Sequence, residues 1–391
     1  VKEADALSEA GYEVTVLYCF WSEWALQADA KLLNIKKWKS FLIGGAPLSN
    51  KVLYYYTRLR TKLCKELLRV FRGVALLDPY VQCRCYSELL NKARSIRADL
   101  YIAHNLGALP VALRAAHSVG AKFGFDAEDF HRGESVSSDS LQSQLVKRIE
   151  DSYLPQVNYL TVASPLIGEA YQELYPALEA HVINNVFSIQ DRPSRLKCST
   201  RQSLQLFWFS QTIGVNRGIE EAIQAIGVTR KPDICLHLLG FCTEAMKIYL
   251  KNLSADRGLV DDQLVFMSVV APDQLVSLSS QFDIGLALEP GFSTNNDIAL
   301  SNKILTYVLA GNAVIASNTR GQAAFMQQYP AIGKTYIIGN VEAFASQIMY
   351  FYENRAALNE CRKNAWELGQ RELNWEKEQT KFLALVDSVL S

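Results

Sequence analysis

QLFWFSQTIGVNRGIEEAIQAIG, residues 205–227, is a short apolar run, a small-residue loop and an amphipathic segment in immediate succession. The run is too short for a helix and too uniformly apolar for a half-solvated strand, so it reads as a strand buried on both faces. Gly214 and Gly218 then flank Arg217, after which Ile219, Ala222, Ile223 and Ile226 recur at helical spacing. Strand, loop and helix in this order are the repeating unit of a doubly wound parallel sheet. Small residues let the backbone approach a ligand, and a helix start offers unpaired N–H groups to an anion. Arg217 adds a forked, permanent cation suited to phosphate. A tight turn with a surface arginine would read the same way, and the loop fits neither GxGxxG nor a P-loop.

The same alternation extends in both directions. Upstream, strands are expected at 13–20, 99–105, 122–129, 159–164 and 181–186; downstream, at 234–241, 264–269, 283–289, 313–317 and 335–340. A chain of 391 residues exceeds one ordinary core. The polar, aperiodic stretch SIQDRPSRLKCSTRQS, 188–203, is the best linker. The expected domains are 1–188, a linker at 189–203, 204–372, and a C-terminal helix from 373 to 391. Because VKEADALSEAG opens with a helix, whereas doubly wound domains begin with a strand, a first strand is expected to precede Val1. Two such sheets, joined once, are expected to leave a ligand cleft at the carboxyl ends of their strands.

SNKILTYVLAGNAVIAS, 301–317, poses a question of charge. Ser301 is a natural N-cap, Ile304, Leu305, Val308 and Leu309 form an apolar stripe, and Gly311 closes the helix. Asn302 and Lys303 then occupy the first turn, where the helix dipole disfavours a cation. Either the ammonium reaches water, or it joins the helix start in holding an anion. With Arg217 expected at the same sheet edge, a diphosphate suits both cations.

On the first half, His104 and Asn105 follow the strand DLYIAHN, and Asp126, Glu128, Asp129 and His131 follow the next. Carboxylates and imidazoles at strand ends suit sugar hydroxyls, which donate and accept; helix caps and backbone-bonded histidines are the plain alternatives. No spaced His/Cys/Asp set argues for a metal. The net charge of zero provides no global field for nucleic acid, and no motif supports one. The eight scattered cysteines read as reduced thiols of a cytosolic protein. No apolar run approaches the roughly 20 residues that span a bilayer.

One patch stands apart. In KVLYYYTRLRTKLCKELLRVFRG, 51–73, Tyr56, Leu59, Leu63, Leu67 and Val70 share a helical face. Arg58, Lys62, Lys65, Arg69 and Arg72 share another. A basic amphipathic helix fits an anionic membrane or a lipid-linked acceptor. Fold considerations favour the ordinary alternative, a helix packed on the sheet by its apolar face with its basic face in water.

These motifs together resemble retaining glycosyltransferases of the GT-B fold, the family-four-like or "group 1" class. The resemblance rests on FWFSQTIGVNRGIEEAIQAI, LHLLGF, DIGLALEPGFSTNN and SNKILTYVLAGNAVIAS, with weaker matches at ADALSEAGYEVTVL, DLYIAHNLGALPVA, FGFDAEDFHRGE and VINNVFS. It covers nearly the whole chain in order. It implies two Rossmann-like domains facing each other across a cleft, the second gripping a nucleotide-diphosphate sugar and the first supplying the acceptor site. The last helix, with Phe382, Leu383, Leu385, Val386 and Val389 on its apolar side, would return to the first domain. Arg217 and Lys303, with Gly214, Gly218, Asn302 and Thr306, would bind the donor; Glu289 would handle the donor sugar's hydroxyls; His104 would lie near the transferred sugar. Asn105, Asp126, Glu128 and His131 fall on the acceptor side. No cofactor or metal is implied, and the leaving phosphate itself would take the acceptor's proton.

The sequence departs from the class at one pair. Many relatives carry two glutamates where this chain has Ile298 and Thr306, which leaves Glu289 as the acidic substitute. The resemblance therefore implies a cytoplasmic sugar transferase of polysaccharide or glycolipid assembly, with a glycan or lipid-linked acceptor, and it leaves room for peripheral membrane contact through 51–73. Two rivals stand beside it: a sugar-nucleotide epimerase of the same fold, and a catalytically silent nucleotide-sugar binder.

Overall fold

The computed structural model describes residues 1–71, 73–137, 139–196 and 202–391. Arg72 of the basic stretch and residues 197–201 of the linker lie outside them. The chain forms two compact units, Val1–Ile183 with Gln379–Ser391, and Asn184–Glu378.

In the first unit, β1 (Thr15–Cys19) pairs in parallel with β2 (Lys39–Ile43). A four-stranded parallel sheet follows in chain order: β3 (Leu100–His104), β4 (Lys122–Ala127), β5 (Tyr159–Val162) and β6 (Ala180–Val182). The two sheets share one helical layer, since Leu17, Cys19, Ile43 and Tyr101 all pack on the core of Tyr86, Leu89, Leu90 and Val111. β2 was not expected from the sequence. KSFLI is short and keeps two of its five residues exposed, so it lacks the apolar run that marked its neighbours.

The second unit holds a six-stranded parallel sheet in the order β12-β11-β10-β7-β8-β9. Its strands are β7 (Leu204–Thr212), β8 (Ile234–Phe241), β9 (Leu264–Met267), β10 (Ile284–Ala287), β11 (Ala313–Ser317) and β12 (Gly333–Tyr336). The last strand is displaced from the expected 335–340: Gly333 to Tyr336 pair with β11, and Ile337 onwards turns into the next helix. The chain adds strands on one side of β7 up to β9, then returns to add β10 to β12 on the other. The order therefore reverses between β7 and β10, the switch point at which such sheets bind ligands beyond their carboxyl ends.

Tight packing over β10 fixes what stands beside that point. A Cβ on Gly285 would lie 2.1 Å from the Tyr307 ring, so only glycine lets the helix Asn302–Ala310 settle this close. The buried Tyr307 hydroxyl reaches the Phe207 and Leu286 carbonyls, 3.2 and 3.1 Å away, tying that helix to both central strands.

The helix Lys51–Val70 departs from expectation. Its buried residues are Tyr54, Thr57 and Leu68, whereas Leu59, Leu63 and Val70 of the apolar stripe are 57 %, 56 % and 73 % exposed. Polar anchors decide the orientation. Arg84 donates to the Thr57 hydroxyl and lies over the Tyr54 ring, Arg60 forms a two-pronged pair with Glu88, and Thr61 donates to the Tyr80 carbonyl.

Candidate functional site

At the switch point, β7 runs into a loop that passes through left-handed conformations at Asn216 (φ 58°) and Gly218 (φ 74°). Gly218 then opens the helix Ile219–Thr229. A Cβ on Gly218 would fall 2.5 Å from the Leu288 Cβ and 2.6 Å from its carbonyl oxygen. Glycine is thus required twice, for its φ and for the contact that joins the loop after β7 to the segment after β10. Gly214 faces open space, with no atom within 4 Å of the position a Cβ would take. The pairing of β7 with β8 shifts register between Phe209 and Thr212. Within that irregularity the Ser210 hydroxyl accepts a hydrogen bond from Arg217 Nη1 at 2.9 Å. Arg217 is otherwise exposed, a fixed cation at the start of a helix. Glu221, an acid in the first turn of that helix, is turned aside: its carboxylate accepts the Gly339 N–H at 2.7 Å and faces the Tyr336 hydroxyl at 3.3 Å.

Glu289 stands one residue past that contact. Its Oε1 receives Lys303 Nζ at 2.6 Å and the Ser301 hydroxyl at 2.8 Å, and Asn296 Nδ2 lies 3.3 Å from Oε2. The Ser317 hydroxyl holds the Glu289 carbonyl at 2.6 Å. Burial pushes the Glu289 carboxyl up, but Lys303, Ser301 and Asn296 outweigh it and hold its pKa at about 2. This accounts for the cation in the first turn. Lys303 answers a half-buried carboxylate from another segment, and its ammonium also lies 5.6 Å from the Trp208 ring centre. Ser301 occupies the N-cap position without capping, because its hydroxyl is turned to Glu289.

Asn302 begins the helix with its side chain exposed. Thr306 is buried, and its hydroxyl donates to the Asn302 carbonyl at 2.9 Å within the helix. The structure thus gathers Arg217, Gly218, Glu289 and Lys303 at one sheet edge, while Thr306 points into the core.

The first unit has its own cluster. His104, Asp126 and Thr161 face one another in register across β3, β4 and β5. His104 Nδ1 lies 3.0 Å from Asp126 and Nε2 3.2 Å from Glu3, while Thr161 donates to Asp126 at 2.8 Å. Burial pulls the imidazole pKa down, but the hydrogen bonds to Asp126 and Glu3 prevail and raise it to about 10. The ring is 46 % exposed, so solvent screens part of that gain. Among the described residues Glu3, His104 and Asp126 also offer ligand atoms within 4.8 Å of one another, a geometry that could hold a metal ion. Spacing could not reveal the trio, because it comes from a helix and two strands. Asn105 beside it is left-handed (φ 69°), with its Oδ1 accepting the Gly107 N–H.

Glu128 is exposed at the end of this row, its carboxyl pushed up by desolvation and by Asp126. His131 turns elsewhere. It is buried with Nδ1 2.6 Å from Glu134, and its backbone N–H donates to Tyr171, beside the Arg132–Glu150 pair. Sequence reading missed Glu3, Thr161, Asn296 and Ser317; only Thr161, one strand over from Asp126, had a signal, its place in YLTVAS.

No protein-family profile matches the chain, and no curated protein does. Solved structures do. Sucrose-phosphate synthase from Thermosynechococcus elongatus superposes with a TM-score of 0.72 at 14% identity, over 99% of this chain and 92% of that one. HepE from Anabaena, in complex with UDP, gives 0.69 at 14% identity over 99% and 94%. A glycosyltransferase from Rickettsia africae gives 0.68 at 13% identity over 100% and 93%. With its two parallel α/β units and the strand reversal between β7 and β10, this chain has the GT-B fold of glycosyltransferases.

Proposed function

We propose that the protein is a glycosyltransferase that moves a sugar from a nucleotide-diphosphate donor to a glycan or lipid-linked acceptor, with retention, in polysaccharide or glycolipid assembly. The observation that carries this reading is the gathering of Arg217, Gly218, Glu289 and Lys303 at the switch point of the second sheet. Departure of the nucleotide diphosphate builds negative charge on its oxygens. Arg217 and the N–H groups opening the helix Ile219–Thr229 would meet that charge without reorganising. Lys303, already oriented by Glu289, would add a second cation. Glu289, ionised at any physiological pH, would accept hydrogen bonds from the donor sugar's hydroxyls. On the acceptor side, His104, Asn105, Asp126 and Glu128 offer donors and acceptors to a hydroxylated substrate. The leaving phosphate would take the acceptor's proton. The UDP bound in HepE makes uridine diphosphate the first nucleotide to test.

Calorimetric titration of the full chain with UDP, GDP, ADP and uridine tests the reading. UDP is expected to bind best. Arg217→Ala, at an exposed position, should weaken UDP by roughly 10- to 100-fold, the loss of one or two charge-assisted hydrogen bonds, and spare uridine. Absence of binding to every nucleotide, or equal loss for UDP and uridine, would refute it. A second reading, a silent nucleotide-sugar binder, draws on the inward-turned Thr306 where relatives carry a glutamate. Turnover of any UDP-sugar excludes it.

A further inference from the structure

Three cysteines come together in the first unit. Cys19 ends β1, while Cys83 and Cys85 stand on either side of Arg84 in the turn between the helices Asp78–Gln82 and Tyr86–Ser95. The Cys19 thiol shares hydrogen bonds with both of their sulfurs. The three belong to the helical layer that β1, β2 and β3 share. Arg84 fixes the turn by donating to the Gly44 carbonyl at 2.7 Å and to the Thr57 hydroxyl. Cys85 is buried, and its sulfur lies 2.1 Å from the place a Cβ on Gly44 would take, wedged against the loop after β2. Cys83 is partly open. Its Cβ lies 3.4 Å from the place a Cβ on Gly107 would take, against the turn that Asn105 closes.

The three thiols are not equivalent. The hydrogen bond from Cys19 holds the Cys83 thiol below its ordinary pKa, against burial, with help from the Cys85 N–H and Arg84. Cys19 and Arg84 lower Cys85 in the same way. Cys19, which gives its proton to both contacts, is pushed up. Elsewhere burial pushes the thiols of Cys235, Cys242 and Cys361 up, which keeps them unreactive.

We propose that Cys83 and Cys19 form an oxidative modification site that a hydroperoxide converts to a disulfide and a dithiol reductant restores. Of the two sulfurs that Cys19 touches, Cys83 is the one an oxidant can reach. Its thiolate attacks the peroxide: an S–O bond forms, the O–O bond breaks, and the departing alcohol or water carries off the proton that Cys83 gave up. The Cys19 thiol then attacks the Cys83 sulfenic acid. An S–S bond forms, the S–O bond breaks, and the hydroxyl leaves as water with the Cys19 proton. Two electrons pass from the sulfurs to the peroxide, and the sulfurs close to roughly 2 Å. A bridge of this kind is a transient state of otherwise reduced thiols. Closing it would draw Cys83 off the Asn105 turn, on the side of the first unit assigned above to the acceptor. The inference stands apart from the nucleotide-diphosphate reading.

Oxidation of the full, reduced chain by hydrogen peroxide, quenched with N-ethylmaleimide and mapped by peptide mass spectrometry, tests it. A Cys19–Cys83 bridge should form about tenfold or more faster than oxidation at Cys235, Cys242 or Cys361, and dithiothreitol should reverse it. Cys19→Ser, whose hydroxyl still donates but cannot bridge, should leave Cys83 as a sulfenic acid that dimedone traps. Cys83→Ser should abolish bridging at Cys19. Hydrogen exchange of amides 104–108 should change on oxidation. Oxidation that follows exposure alone, a bridge to Cys85 in place of Cys83, or sulfinic acid without a bridge would each overturn the proposal. So would uptake of one zinc ion that shields all three thiols from N-ethylmaleimide, since the cluster would then be a metal site. UDP affinity, a property of the second unit, should be equal in the reduced and bridged forms. Measured in the same samples, it separates failure of the bridge from failure of the transferase reading.

Discussion

Lys303→Met removes the ammonium from Glu289 while keeping an apolar stem beside Trp208. The two side chains are 15% and 20% exposed, so the pair belongs with buried ion pairs rather than with surface ones of about 0 to 1 kcal/mol. The carboxyl's fall from an ordinary 4.5 to about 2 bounds the effect. At about 1.4 kcal/mol per pH unit, the ionised form is favoured by roughly 3 kcal/mol in the fold, and Lys303 contributes the largest part. Removing the lysine leaves a largely desolvated carboxylate with only Ser301 and Asn296, so at pH 7 the second unit should lose roughly 2 to 3 kcal/mol. Hydrogen exchange of amides in β7 and β10, followed by mass spectrometry, reads this locally as a protection loss of roughly 30- to 150-fold. Glu289→Gln should cost less, and the double variant should lie near Glu289→Gln alone. The sign with pH follows from the lowered pKa. The Glu289 contribution is complete above about pH 4.5 and disappears as pH falls towards 2, so the gap between wild type and Lys303→Met should shrink to roughly 1 kcal/mol by pH 3. A gap below about 0.5 kcal/mol at pH 7, or one that widens on acidification, would refute the reasoning.

Three further outcomes follow from other parts of the structure. Gly218→Ala places a Cβ 2.5 Å from Leu288 in a left-handed residue and should lower stability by roughly 2 to 4 kcal/mol, read as a fall in melting temperature, with UDP affinity lost as well. His104, its pKa raised to about 10, contributes stability that is fully present below its ordinary 6.5 and lost as pH rises towards 10; protection of β3 and β4 amides should fall across that window, and His104→Gln should abolish the dependence. Thr306→Val keeps the shape of a side chain whose hydroxyl bonds only within its own helix, so it should cost about 1 kcal/mol or less and leave UDP affinity unchanged; a large loss of affinity would place Thr306 at the nucleotide instead.

How much of this was legible depends on how local each cause is. The buried strands β7, β8, β10 and β11 announced themselves, because a strand covered on both faces must be apolar throughout. The loop carrying Gly214, Arg217 and Gly218 was equally plain, since glycine beside a strand end answers a local backbone demand. β2 escaped because a half-exposed strand of five residues carries no such run. Lys303 could be singled out as misplaced, but its partner is 14 residues away on another element, and no periodicity connects them. Ser301 was legible as a helix start and not as a donor to Glu289, because a hydroxyl serves either role and only its surroundings choose. The helix Lys51–Val70 shows the limit most clearly. Its amphipathicity was evident from the sequence, yet amphipathicity alone says that an apolar face exists, not what covers it. Arg84, Glu88 and the Tyr80 carbonyl, brought up by other elements, fastened the opposite face and left the apolar stripe in water. Local pattern determined the elements, their parallel order and the loop at the sheet edge. Which charges meet and which faces remain open was decided by distant residues, because those energies exist only once the chain has closed around them.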